Sequence, residues 1–166
     1  MKTRLRNIGL ALKVLPRILI DPRQRNLFRE MRVFIRQLPI VLKAPIPEAL
    51  QSITPTTSSR SSSAQATREL ADVVALLDRD SPLGLCLRRS LTRYHFLREL
   101  GVPVTVHFGA KLIGGKADRP ALRHAVGQVS ITGHAWLTLD DQIYFEASEN
   151  YRGFSVMLTF PQTELE

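Results

Sequence analysis

The spacing of apolar residues along this chain changes from helical to alternating at residues 101–103. Before this point, apolar side chains recur every three or four positions, as at Leu70, Val73 and Leu77, which predicts helices. After it, apolar and polar residues alternate over short stretches, which predicts β-strands. Helices followed by a run of strands are typical of the α+β class, so we expect an antiparallel sheet that packs against the last helix.

Two helices and four strands are predicted after residue 63. The first helix follows Ser63, a residue type that caps helices, and the second is an amphipathic helix that contains Cys86. This second helix ends at Gly101, and Pro103 lies just beyond it. The predicted strands cover residues 104–112, 128–139, 142–148 and 154–160.

The positive charge of the chain is concentrated at its N-terminus. Residues 1–44 contain 11 of the 23 Lys and Arg residues and only Asp21 and Glu30, a net charge of +9, while the other 12 basic and 13 acidic residues nearly cancel. Prolines at 39, 45 and 47 are expected to end the helical pattern, and a Ser/Thr-rich stretch follows. These features predict a basic helical arm at 1–51, a linker at 52–63 and a domain at 64–166.

The arm carries an apolar stripe at helical spacing, made of Leu5, Ile8, Leu12, Leu15 and Leu19. This stripe has two interpretations. Either it packs on the rest of the protein and leaves the charges in water, or it docks on an acidic surface such as an anionic membrane, a peptide or a partner protein. Nucleic acid is not expected as a partner, because the arm has few aromatic residues that could stack on bases.

The N-terminus resembles a secretory signal peptide, but Lys13, Pro16 and Arg17 interrupt its apolar run and no small-residue cleavage site follows. No apolar run approaches the roughly 20 residues that cross a bilayer. Cys86 is the only cysteine, which excludes an internal disulfide and fits a reducing compartment. We therefore expect a cytoplasmic protein that meets membranes only through its arm. The Cys and His spacing fits no metal site, and no cofactor is expected.

Cys86 lies at the start of its predicted helix, in the stretch GLCLRRSLTRYHFLRELG. A thiol attacks carbonyls as the thiolate, which is favoured by the N–H groups of a helix N-terminus and by nearby positive charge, here that of Arg88 and Arg89. Most free cysteines are buried packing residues, so this position alone does not identify a nucleophile. A neighbouring base is also required.

His134 is the best candidate for that base among the four histidines. His95 lies in the cysteine helix, more than two turns from the thiol, and cannot reach it. His107 and His124 have no distinctive neighbours in the sequence, which is typical of surface residues or of residues bonded within the fold. His134 is a polar imidazole in the strand-like stretch GHAWLTLDDQIYFE, where small residues on both sides leave room around the ring.

A carboxylate that orients His134 is expected on the strand that returns after it. Asp140 and Asp141 lie in the predicted turn, several residues from His134 along the strand, which places them too far away. Glu146 lies on the returning strand and is the remaining candidate.

The parity of the hairpin decides whether Glu146 faces His134. With a two-residue loop, Glu146 would pair with Ala135 and face away from the imidazole. With a three-residue loop, Glu146 would pair with Trp136 and become the diagonal neighbour of His134. A triad of Cys86, His134 and Glu146 therefore requires an odd-length loop or a bulge.

Three segments carry these candidates in order: CLRRSL at 86–91, RELGVPVTVHFGA at 98–110 and HAWLTLDDQIYFE at 134–146. Together they resemble the transglutaminase-like leader peptidases of lasso-peptide biosynthesis. That family has a cysteine opening a helix as C-L-x-R-[SA]-L, a helix ending at Gly-[VI]-Pro, and H-A-W-[VL] followed by an acid on the next strand. Cys86 matches the nucleophile, His134 the base and Glu146 the acid, where the family usually has Asp. The resemblance covers about residues 68–150 and implies a transglutaminase/papain-like core.

The resemblance implies a cysteine peptidase that removes the leader from a ribosomally synthesised lasso precursor peptide. It implies two partners besides the precursor: a cyclase resembling asparagine synthetase, and a leader-recognition protein. The segment before the linker has no strand pattern, so we expect recognition to come from a separate chain. Two other functions stay open: a transglutaminase-like acyltransferase or amidase that uses the same three residues, and a non-catalytic peptide-binding maturation protein.

Overall fold

The computed structural model describes residues 2–56, 62–113 and 130–161. Helices come first and strands follow, as the change of spacing predicts. In chain order the elements are α1 (Lys2–Ile20), α2 (Pro22–Val41), α3 (Ile46–Ser52), α4 (Ala64–Leu77), α5 (Leu85–Arg98), β1 (Thr105–Ile113), β2 (Ser130–Leu139), β3 (Gln142–Ile143), α6 (Ser148–Tyr151) and β4 (Ser155–Phe160). None of the helices in these ranges has the length and apolar character needed to cross a bilayer.

The apolar face of α2 packs into the same core as α4 and α5. Met31, Ile35 and Leu38 on α2 are fully buried and belong to one cluster with Leu70 on α4 and Leu91 on α5. Burying one such side chain contributes about 1.5–3 kcal/mol. Helix α2, which lies within the predicted arm at 1–51, is therefore part of the core. The division of the chain into arm, linker and domain remains a prediction.

Proline does not end the helical segment where the sequence suggests. The prediction that Pro39 breaks the helix is wrong, because α2 continues through it to Val41. Pro39 lies in the last turn, where it removes a single hydrogen bond, and Pro47 lies in the first turn of α3, where N–H groups have no intrahelical acceptor.

The first residues of the predicted linker also pack on α5, since the carbonyl of Ile53 lies 2.6 Å from Nδ1 of His95.

The start of α4 is the one that the sequence predicts. Ser63 is its N-cap, and the hydroxyl accepts the N–H of Ala66.

Helix α5 is buried on nearly all sides, so the prediction of a one-sided amphipathic helix is wrong. Arg88, Arg89 and Arg93 lie inside because each is paired with a carboxylate. Arg93 donates two bonds of 2.6 Å to Asp72 on α4, and Arg88 donates to Asp78 just after α4 at 3.3 Å. Bidentate pairs of this kind fix orientation as well as charge. The Arg93–Asp72 pair thereby helps to fix the rotation of α5 about its axis.

The four strands form an antiparallel sheet in the order β3-β2-β1-β4. One face, which includes Val106 and Leu137, packs on the helices, and the opposite face bears His134 and Trp136. Three predicted strands agree with β1, β2 and β4 to within two residues, although residues 128 and 129 lie outside the described ranges. The strand predicted at 142–148 is much shorter, because β3 ends at Ile143.

Candidate active site

Cys86 is the second residue of α5, directly after the N-terminal residue Leu85. Gly84 is the N-cap and provides no side-chain cap, and its carbonyl accepts the first helical bond from the N–H of Arg88. The N–H groups of the first turn therefore point out of the helix without a side-chain partner from the cap. The thiol is half-buried beside them.

His134 lies on β2 within a layer of aromatic rings. Its ring is stacked on Trp136, with centroids 6.0 Å apart and an interplanar angle of 17°, and Phe154 lies at 5.4 Å. Opposite His134 on β1 is Gly109, where a Cβ atom would come within 2.8 Å of two indole carbons of Trp136. Glycine is needed there because the indole lies directly against the backbone, and this contact holds Trp136 beside the imidazole.

Burial lowers the pKa of His134 below its ordinary value. The negative charge of Glu146 opposes this effect, and the positive charge of Arg89 adds to it. The imidazole is therefore neutral near pH 7, which is the form that can accept a proton.

The hairpin after β2 has a two-residue turn. Leu139 pairs with Gln142, and Asp140 and Asp141 both have positive φ, of 49° and 59°. Of the two alternatives, an odd-length loop or a bulge, the odd-length loop is therefore excluded. Two residues with positive φ are typical of the type I′ turn, whose twist matches that of the strands it joins.

An irregularity at Phe145 brings Glu146 to the side of His134. The ladder continues to Tyr144, whose N–H donates to the carbonyl of Leu137 at 2.9 Å. Phe145 then has a φ of 52°, in the left-handed region that bulky residues rarely adopt. A regular strand would carry Glu146 to the other face, so the bend at Phe145 does what a bulge would do. Oε1 of Glu146 lies 4.0 Å from Nε2 of His134.

Helix α5 occupies the edge of β2 that β3 leaves open. Carbonyl groups two residues apart on a strand face the same edge, so those of Ala135 and Leu137 both point toward β3. The N–H of Tyr144 binds the carbonyl of Leu137, and the hydroxyl of Ser90 on α5 binds that of Ala135 at 2.8 Å. Ser90 lies four positions after Cys86, one helical turn along the same side. This bond holds Ser90, one turn after Cys86, against the β2 residue that follows His134.

Glu146 is the centre of a buried polar network, with only 3% of its side chain exposed. Nη2 of Arg89 donates to both carboxylate oxygens, at 2.9 and 2.6 Å, and the amide of Asn150 donates to Oε1. Arg89 lies three positions after Cys86, on the same side of α5. Nε2 of His134 is buried without a hydrogen-bond partner among the described residues and faces this carboxylate.

The positive charge predicted beside Cys86 is compensated. Arg89 is paired with Glu146 and Arg88 with Asp78, so neither guanidinium acts as an isolated cation next to the thiol. Sequence reasoning identified neither Arg89 nor Asn150 as a partner of Glu146. The spacing of four residues between Glu146 and Asn150 is the one sequence signal that could have suggested the second contact. Asn150 lies on α6, a short helix that the sequence did not predict.

The other candidates lie away from this network. His107 is held between the hydroxyls of Thr138 and Thr159, at 2.8 and 3.0 Å, which makes it a residue bonded within the fold. The charge of the turn residue Asp141 acts on His107. His124 lies outside the described residues. Within the described ranges, no group of His, Cys, Asp and Glu residues is arranged to hold a metal ion.

A matched pair of variants tests the left-handed backbone at Phe145. Phe145→Gly and Phe145→Ala both remove the ring and its contact with Arg68, whose guanidinium lies 3.8 Å from the ring centroid. Only glycine tolerates positive φ without steric cost, so we expect the Gly variant to be about 1 kcal/mol more stable than the Ala variant in urea unfolding. Equal stabilities would show that the variants have relaxed to another backbone and that this irregularity does not hold Glu146 in place.

The buried histidines predict a loss of stability in weak acid. Burial lowers the pKa of both His107 and His134, so the unfolded chain takes up protons at a higher pH than the folded protein does. The free energy of unfolding should therefore be flat above pH 7 and fall as the pH drops below about 6.5. Urea unfolding at several pH values measures this slope, and His107→Gln should reduce it. A stability that does not change between about pH 7 and pH 5.5 would contradict the prediction.

Comparison with curated proteins and with solved structures gives no significant match. A family profile does match: that of the transglutaminase-like superfamily, over residues 34–159. The match begins inside α2, runs to the last residues of β4 and includes Cys86, His134 and Glu146. Because the matched region covers most of the chain, the protein belongs to the transglutaminase-like superfamily.

Proposed function

We propose that this protein is a cysteine peptidase in which Cys86 is the nucleophile, His134 the general base and Glu146 the residue that orients the base. One observation carries the proposal: a buried carboxylate bonded to Arg89 of the cysteine helix also lies 4.0 Å from a buried imidazole nitrogen of His134 that has no hydrogen-bond partner within the described residues. A carboxylate in this place stabilises the imidazolium that forms when the base takes a proton. Membership of the superfamily supports the proposal, since its members are often cysteine-dependent enzymes.

On this proposal, each nitrogen of His134 has a separate role. Nε2 faces Glu146, which leaves Nδ1 to take the thiol proton from Cys86. The distance of 4.0 Å is longer than a hydrogen bond, and such bonds often shorten only when substrate is bound. The low pKa that burial gives His134 keeps it ready to act as a base near neutral pH.

The proposed reaction proceeds through an acyl-enzyme. The thiolate of Cys86 attacks the scissile carbonyl carbon, and the oxyanion is bound by N–H groups in the first turn of α5, which the cap leaves unpartnered. The C–N bond breaks as the imidazolium gives its proton to the leaving amine. A water molecule, deprotonated by His134, then hydrolyses the thioester, which releases the new carboxyl group and restores the thiol.

The substrate class comes from the three sequence segments that resemble lasso leader peptidases. On this proposal the scissile bond joins the leader to the core of a ribosomally made precursor. The separate recognition protein presents the leader, and the cyclase closes the released N-terminus onto an acidic side chain. The basic arm and the papain-like arrangement of the core are also part of this proposal.

Mass spectrometry of the reaction products tests the proposal. The precursor candidates are short peptides encoded beside this gene, each incubated with this protein and any small recognition protein encoded nearby. We expect a leader fragment with a free carboxyl group and a core with a new N-terminus, and no product with Cys86→Ala. An added primary amine found on the leader would instead identify an acyltransferase. Binding of a precursor that is never converted by the folded wild-type protein would identify a binding protein.

A further inference from the structure

Three leucines of the apolar stripe that the sequence predicts on helix α1 face away from the protein. Val14 and Ile18 are buried in the core. Leu12, Leu15 and Leu19, which belong to the predicted stripe, are 44–72% exposed. The interpretation that this stripe packs on the rest of the protein is therefore wrong for these three residues. At about 100° per residue, they lie roughly 110° around the helix from the buried pair.

Two ion pairs fix the helix in this rotation. Nζ of Lys13 and Nη1 of Arg17 lie 2.7 and 3.2 Å from the carboxylate of Glu69 on α4, whose side chain is nearly buried. Lys13 and Arg17 are one helical turn apart, so both bonds form on the same side of α1. Turning the leucines inward would break both bonds and leave the buried carboxylate with only the amide of Gln65 at 3.1 Å and the guanidinium of Arg68 at 4.0 Å, which is unfavourable. The outward position of the stripe is therefore built into the fold.

The net charge of the N-terminal region indicates what the three leucines contact. Helix α1 contains five basic residues and no acidic one, of which Lys13 and Arg17 are paired with Glu69, and residues 1–44 have a net charge of +9. Exposed leucines on a strongly basic helix suit an anionic lipid surface, where the apolar side chains enter the headgroup region and the cations face the phosphates. A second copy of the chain would bring two such charges together, and like charges repel.

We propose that α1 docks peripherally on anionic membranes through Leu12, Leu15 and Leu19. The helix lies in the plane of the interface, and the rest of the protein stays on the aqueous side, attached through Val14, Ile18 and the ion pairs to Glu69. This inference does not depend on the proposed peptidase activity. A failure of one leaves the other standing, because vesicle binding is measured without a peptide substrate.

Vesicle sedimentation of the full-length protein tests the proposal. The wild type should bind vesicles that mix phosphatidylcholine with phosphatidylglycerol at least about tenfold more strongly than pure phosphatidylcholine. This preference should weaken as salt rises from about 0.05 M to about 0.5 M. Binding should fall at least about tenfold in the triple variant Leu12→Gln/Leu15→Gln/Leu19→Gln.

A matched triple variant on the sheet is the control. Leu112→Gln/Ile131→Gln/Met157→Gln removes three side chains that are 66–72% exposed, far from α1 in sequence, and should leave vesicle binding unchanged. The substituted leucines are exposed, so thermal unfolding should confirm that the α1 variant is folded.

A further variant, Arg4→Gln/Arg6→Gln, leaves the stripe intact and should reduce binding to anionic vesicles by about tenfold through the loss of charge alone.

Four results would overturn the proposal. The first is no preference of the wild type for anionic vesicles, and the second is equal binding by the wild type and the α1 triple variant. The third is a dimer in analytical ultracentrifugation that the α1 variant abolishes, which would identify a second copy as the occupant of the stripe. The fourth is capture of an acidic protein partner without any vesicle binding, which would reject the membrane as the surface that the stripe contacts.

Discussion

Glu146→Gln is expected to reduce cleavage by about a hundredfold to ten-thousandfold while the protein stays folded. Glutamine has nearly the same size and can still contact Asn150 and His134, but it has no charge to offset the imidazolium formed during attack. Glu146→Asp should retain part of the activity, because a shorter carboxylate still carries the charge. The ratio kcat/KM, measured by chromatography of the cleaved precursor, gives the size of the loss.

The turn aspartates are the control for this prediction. Asp140 and Asp141 occupy positions with positive φ, which asparagine tolerates, so Asp140→Asn and Asp141→Asn should fold normally. Neither residue contacts His134 in the structure, and their effect on kcat/KM should be less than about twofold. Loss of cleavage in either Asn variant, together with normal cleavage by Glu146→Gln, would mean that the acid has been assigned to the wrong residue.

Arg89→Met is expected to lower the free energy of unfolding by about 3 kcal/mol. Glu146 is almost fully buried, and Arg89 is its only cationic partner within the described residues, so the variant leaves a carboxylate without compensation. Urea unfolding measures the loss. The double variant Arg89→Met/Glu146→Gln should recover part of the stability, because the buried charge is gone, but no cleavage. A double variant no more stable than Arg89→Met would show that lost packing, not an unpaired charge, is the cause.

The same variant should also change the pH dependence of the reaction. Arg89 lowers the pKa of His134, and Glu146 raises it. Without the guanidinium, the pKa of His134 should rise, so the acid limb of the kcat/KM profile should move to higher pH. A purely structural role for Arg89 would reduce activity without moving this limb.

The fold class was predictable because it depends on local spacing. The change from helical to alternating pattern located α4, α5 and three of the four strands, and Ser63 located the start of α4. The hairpin was only partly predictable. Strand parity showed that Glu146 needed an odd loop or a bulge, but the bend lies at Phe145, a bulky residue that sequence rules do not expect at positive φ.

Contacts between distant parts of the chain account for what the sequence did not predict. The repeated leucines of α1 look like its packing face, yet bonds from Lys13 and Arg17 to Glu69, more than 50 positions away, turn them outward. The partnership of Arg89 with Glu146 spans 57 positions and places an arginine in the site rather than in solvent. Spacing along the chain gives no information about such pairs.

The reactivity of Cys86 toward iodoacetamide tests the central claim most directly. Cys86 is the only cysteine, so the mass added to the protein reports a single site. If His134 takes the thiol proton, the wild type should be alkylated near pH 7 at least about tenfold faster than His134→Ala, with Glu146→Gln in between. Equally slow alkylation of the wild type and His134→Ala would contradict the account, because Cys86 would then be an ordinary thiol that no base activates.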